Sequence, residues 1–214
     1  MKFQTTRFFK VFSVLIAVTT GSMIQAATLV TNLGEEMAEQ ITLTSGFEYT
    51  QAFTTGSSGA TLQELTFIGG GGFLRTNIEY LSVKLYADNG SLLGAFTNPA
   101  NVPLKWTVQF ITFSGNFALN SNSTYSIGIT VDSAMDLQSE GYLSYTSSLD
   151  QSGLVGWGIG NNFLTWTVGD TTAPQDTAGA LSMSLSGVVP EPSSLSLIVL
   201  GLSGMAVLRR RRMG

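Results

Sequence analysis

The chain has 214 residues, of which 11% are charged and 43% apolar, and its formal net charge is −4. It contains neither Cys nor His, which excludes disulfide frameworks, thiolate metal sites, cysteine nucleophiles and every Ser-His-Asp arrangement. Between Glu35 and Asp176 three bases face thirteen acids, and a body of net charge −10 repels nucleic acid and anionic membrane surfaces.

Residues 1–26 read as a secretory signal peptide. Lys2, Arg7 and Lys10 form a basic start, "VFSVLIAV" from Val11 to Val18 is the apolar stretch, and "IQAA" supplies small residues. Cleavage is expected after Ala26 or Ala27, by signal peptidase following Sec translocation.

Residues 27–187 form the body, and period-two alternation dominates them. Strands are predicted near Thr28–Leu33, Phe47–Phe53 and Thr61–Ile68, with helical periodicity only at Glu35–Gln40. "IEYLSVKLYA" alternates at Leu81, Val83 and Leu85, and "KWTVQFITF" at Trp106, Val108 and Phe110. "STYSIGITV" sets Tyr125, Ile127, Ile129 and Val131 on one face. Further strands are expected at Tyr142–Thr146, Leu154–Ile159 and Phe163–Val168, and "ALSMSLSG" alternates at Leu181, Met183 and Leu185. Turn-forming clusters separate them, so the fold expected is all-β, an antiparallel β-sandwich or jelly roll.

Candidate chemistry in the body is sparse. Gly69–Gly72 lacks the Lys-Ser/Thr pair and helix of a phosphate loop and reads as an interstrand loop. Asp88-Asn89-Gly90-Ser91 has one carboxylate, too few for calcium, and suits a tight hairpin turn. Glu35, Glu36 and Glu39, and again Asp132, Asp136 and Glu140, are acid clusters that a hydrolase or a calcium ion could use only if they converged. Trp106, Trp157 and Trp166, with Tyr142 and Tyr145, offer an aromatic set for sugar rings, and "GLVGWGIGNNFLTW" makes Trp157 and Trp166 the possible carbohydrate contacts. No catalytic residue, metal or cofactor is expected.

"YTQAFTTGSSGATLQELTF", "LSVKLYADNGSLLGAFTNP" and "FALNSNSTYSIGITV" together resemble the choice-of-anchor R domain over Phe47–Val131. Ser126 departs from the glycine or aromatic found there. That resemblance implies a surface domain with no attached enzymatic activity.

Residues 188–214 are a tail of three parts. Pro190-Glu191-Pro192 can neither continue a helix nor pair as a central strand. Leu195–Leu208 is apolar, and fourteen helical residues would span roughly 21 Å, short of a bilayer core of about 30 Å. Arg209, Arg210, Arg211 and Arg212 each cost about 2.5–3.5 kcal/mol at a helix centre, so they stop transfer and stay cytoplasmic. Motif, single transmembrane helix and arginine cluster in this order resemble the PEP-CTERM sorting signal of Gram-negative bacteria. The resemblance implies recognition and cleavage by a membrane-embedded exosortase. It also implies an inner-membrane-anchored precursor, later placed at the cell surface or in the extracellular matrix of a biofilm, in association with exopolysaccharide.

Three functions follow as expectations. The first is an exported, non-enzymatic surface or matrix protein; the second is a carbohydrate-binding module of that matrix; the third is a carboxylate-based hydrolase.

Overall fold

Alternation along each strand determines which residues meet. The computed structural model describes residues 26–34, 39–71, 81–99, 108–131, 141–168 and 174–190. The chain divides into two compact units, Ala26–Val189 and a second made of Met1–Gln25 with Pro190–Gly214. Of the second, Pro190 alone is described, so the expected signal peptide and transmembrane helix lie outside the described residues. Among the described residues no helix is long and apolar enough to cross a membrane.

The elements in order are β1 Ala27–Thr31, β2 Glu39–Leu43, β3 Phe47–Thr54, β4 Ala60–Gly71, β5 Leu81–Ala87, β6 Leu92–Ala95 and β7 Gln109–Leu119. They continue with β8 Thr124–Val131, β9 Gly141–Thr146, β10 Ser152–Gly153, β11 Gly158–Thr167, β12 Gln175–Ala178, β13 Ala180–Leu181 and β14 Met183–Val188. All strand pairs are antiparallel. One sheet runs β10-β1-β14-β4-β9-β13, with β2 on β9 and β7 on β4; the other runs β12-β11-β3-β8-β5-β6. The fold is the expected all-β architecture.

One apolar cluster lies between the sheets. Phe53, Phe163, Ile127 and Ile129 enter it from the six-stranded sheet, and Phe67, Phe113, Leu62 and Leu185 from the other. Phe53 stacks on Tyr125 at 5.7 Å, and Phe67 meets Phe113 edge-on at 6.2 Å. Each such fully buried side chain contributes about 1.5–3 kcal/mol. Tyr125, Ile127, Ile129 and Val131, the β5 set and the β14 set all face inward as their alternation predicts.

Four expectations need correction. In β7 the inward residues are Ile111 and Phe113, whereas Val108 and Phe110 face solvent, Phe110 at 65% exposure. Both phases of "QFITF" are apolar, and the choice falls to the partner strand, where Phe67 and Leu65 lie opposite Ile111 and Phe113. Leu154–Ile159 is not one strand, because Gly156 adopts φ 82 and Trp157 N–H closes a turn on the Leu154 carbonyl at 3.1 Å. Gly69, Gly70 and Gly71 are not a loop but the end of β4, paired with Leu143, Tyr142 and Gly141. At Gly69 a Cβ would stand 2.7 Å from the Tyr142 carbonyl oxygen, so close strand approach requires glycine. Glu39 and Gln40 belong to β2 rather than a helix, while residues 35–38, Gly72 and Trp106 lie outside the described residues.

Candidate functional site

The strand that carries the chain out of the sandwich is a central one. β14 is bonded to β1 on one side and β4 on the other, with Gly187 opposite both Ala27 and Leu62 and Val188 opposite Thr61. A Cβ on Gly187 would press on the Thr61 carbonyl oxygen and stand 3.1 Å from Leu62 Cα, so this crossing tolerates only glycine. Val189 still packs on the core, and Pro190 is exposed. One residue therefore separates the last strand from the first proline of the tail. Ala26 is exposed and Ala27 opens β1 beside Gly187, so the expected cleavage point and Pro190 leave from adjacent strands. Glu191, Pro192 and Arg209–Arg212 lie outside the described residues.

Trp157 and Trp166 of the expected aromatic set lie apart. Trp157 is half-buried against the core, and its ring comes within 2.9 Å of the Cβ position of Gly56. Trp166 is 38% exposed on the outer face of the six-stranded sheet, its indole N–H donating to Thr50 Oγ1 at 3.2 Å. Their flanking strand positions, Gly158 and Trp166, pair with Thr54 and Glu48 of β3, six residues apart, which is about 20 Å. No single sugar ring spans that distance. Tyr145 turns inward onto Phe163 at 5.5 Å, and its hydroxyl donates to Glu39, which holds its pKa above the usual phenol value.

Sequence reasoning missed a pair on the same outer face. Tyr86 of β5 and Glu48 of β3 lean toward each other across Gly128 of β8, the Tyr86 ring within 2.7 Å of where a Cβ would stand. Burial, then the charge and hydrogen bond of Glu48, push the Tyr86 phenol up to about 12. The glycine inside "STYSIGITV" was the one available signal, since a strand-interior glycine marks close approach. Glu48, Thr50, Tyr86 and Trp166 thus line a polar and aromatic strip across β5, β8, β3 and β11.

Residues 188–212 match the family described as "PEP-CTERM protein-sorting motif". The chain carries a PEP-CTERM sorting motif. The motif marks an exported protein with a membrane-anchored C-terminal tail that an exosortase processes. No curated protein matches the chain. Among solved structures, a chain of "Structure of infectious bursal disease virus Gx strain" aligns at 10% identity and a TM-score of 0.28. The alignment covers 79% of this chain and 38% of that one, and at such a score it carries no argument.

Elsewhere in this PEP-CTERM-tailed chain the polar interior is tied to the backbone. Gln51, fully buried, accepts from Leu181 N–H at 2.9 Å and donates to the Gly160 carbonyl at 2.9 Å, joining the two sheets. Asn32, within the eight-stranded sheet, donates to the Leu181 carbonyl at 3.1 Å and accepts Met183 N–H at 2.7 Å. Asp88–Ser91 forms the expected hairpin turn, with Gly90 at φ 77 and its N–H on the Ala87 carbonyl at 2.8 Å. Among the described residues no three carboxylates gather to hold a metal ion. Glu35, Glu36, Asp132, Asp136 and Glu140 lie outside the described residues.

Proposed function

We propose that this chain is an exported, non-enzymatic β-sandwich that an exosortase cuts near Pro190 and releases to the cell surface or the exopolysaccharide matrix. The observation that supports this reading most is the junction at Val188–Pro190. A sandwich closed by its own last strand, with one residue between that strand and Pro190, is left intact by a cut near Pro190. The likeness of Phe47–Val131 to the choice-of-anchor R domain fits the same role. Intact mass of the protein from native cells and from their medium tests it. A species starting near Ala27 and ending near Pro190 is expected; a released species retaining Arg212 would overturn it.

A second reading, a carbohydrate-binding module, is favoured by the strip of Trp166, Thr50, Glu48 and Tyr86. An exposed indole beside hydrogen-bonding groups is the chemistry that stacks on a sugar face. Retention on exopolysaccharide that falls at least tenfold in Trp166→Ala supports it. Equal retention of both proteins removes Trp166 from any such role.

A further inference from the structure

Both ends of Ala26–Val189 and four of its loops lie at one end of the sandwich. Ala27 stands opposite Gly187, and Thr61 opposite Val188. Ala60 meets Leu119, Thr54 meets both Thr124 and Gly158, and Ala87 meets Tyr125. These registers gather loops 55–59, 88–91, 120–123 and 154–157 at the end of the sandwich where β14 finishes. Backbone contacts link them, with Asn122 N–H on the Gly56 carbonyl at 2.8 Å and Leu154 N–H on the Leu29 carbonyl at 2.8 Å. In a body of net charge −10, these four loops hold one charge, Asp88. They also hold an apolar tip: Leu154 is exposed and Val155 is 95% exposed.

We propose that this end of the sandwich rests on the bilayer while the tail is attached, with Leu154 and Val155 set into the lipid interface. The inference rests on the membrane-anchored tail of the reading above. From Pro190 to Ser194 the extended chain reaches at most about 14 Å, so the end of β14 is held at the level of the lipid headgroups. The acidic body is repelled by anionic lipid, and an end whose four loops carry one charge meets little of that repulsion. An exposed Leu-Val tip enters the boundary between headgroups and acyl chains, where apolar side chains lie about 5–10 Å deep. The contact keeps Pro190 at the membrane surface, in reach of a membrane-embedded protease, and it is lost with the tail.

The absence of cysteine makes single-site labelling clean. Full-length Val155→Cys, carrying an environment-sensitive fluorophore, is reconstituted in phosphatidylcholine vesicles with a nitroxide quencher on the acyl chains. Val168→Cys is the reference, because Val168 N–H bonds to the Gly46 carbonyl at the opposite end of β11. Quenching at position 155 is expected to exceed that at 168 at least threefold. A third protein carries the label at Ser57→Cys in a neighbouring loop, with and without Leu154→Asp and Val155→Asp; the acidic pair should lower its quenching to the reference level. Protein that floats with the vesicles but is quenched equally at 155 and 168 overturns the docked end alone. Protein that does not float overturns the anchored tail and the docked end with it.

Discussion

The two ends of the sandwich are closed by the same device and differ in what they present. At the end away from the tail, Tyr49 of β3 reaches the loop after β2, its hydroxyl donating to the Thr42 carbonyl at 2.9 Å and accepting Thr44 N–H at 3.0 Å. At the tail end Tyr125 of β8 accepts Asn120 N–H at 2.8 Å. There Thr55 adds a second tie, its hydroxyl donating to the Asn120 carbonyl at 2.7 Å and accepting Ser123 N–H at 2.9 Å. Inward-facing tyrosines on neighbouring strands thus seal both ends, because a phenol buries its ring and still satisfies a loop amide. The four described loops at the tail end hold one charge, Asp88, and an exposed Leu154–Val155 tip. Sealing is a requirement of the fold, and the two ends meet it with different numbers of ties: one tyrosine at the far end, a tyrosine and Thr55 at the tail end.

The largest effect is expected at Gly187, where the exit strand crosses β4. Gly187→Val forces a side chain against the Thr61 backbone and should cost about 3 kcal/mol, read as a lower urea midpoint. An unchanged midpoint would mean that β14 does not hold the tail end together. Next, Thr55→Val removes two hydrogen bonds to the corner of the tail end and should cost about 2 kcal/mol in the same measurement. Tyr49→Phe should cost about 2 kcal/mol and Tyr125→Phe about 1, following two hydroxyl bonds against one. The reverse order would show that the two ends are not sealed alike.

The smallest effect concerns the outer strip between the ends. With its phenol held at about 12 rather than 10.0, Tyr86 contributes stability that is whole below pH 10 and is lost as pH rises toward 12. The urea midpoint should therefore fall over that window, and Tyr86→Phe should remove part of the fall. A slope unaffected by the substitution would detach Tyr86 from Glu48.

Much of this architecture is legible along the chain. The inward sets of β5, β8 and β14 follow from alternation of apolar with Ser, Gly or Thr, where one phase only can be buried. β7 was not legible, because Phe110 and Ile111 are both apolar and neighbours in sequence cannot say which one a distant strand will cover. The short edge strands β6 and β12 escape notice for a related reason: "LLGA" and "QDTA" have no periodicity, and pairing with β5 and β11 makes them strands. In the candidate site, Trp166 could be named from the sequence, but its partner Thr50 and the Tyr86–Glu48 contact over Gly128 could not.

The sequence by itself determined that this protein is exported with a sorting tail. Its sorting motif is a linear signal, read in order from Pro190 to Arg212, and needs no contact between distant residues. The antiparallel all-β class was also determined locally, by period-two patterning. Tertiary structure alone decided that Ala27 and Gly187 lie side by side, that Gln51 ties the two sheets, and that four loops with a single charge gather at the end where β14 finishes. Those are pairings across most of the chain, such as Asn32 with Leu181 at a separation of 149 residues, and register between strands is set by what the whole core can bury at once.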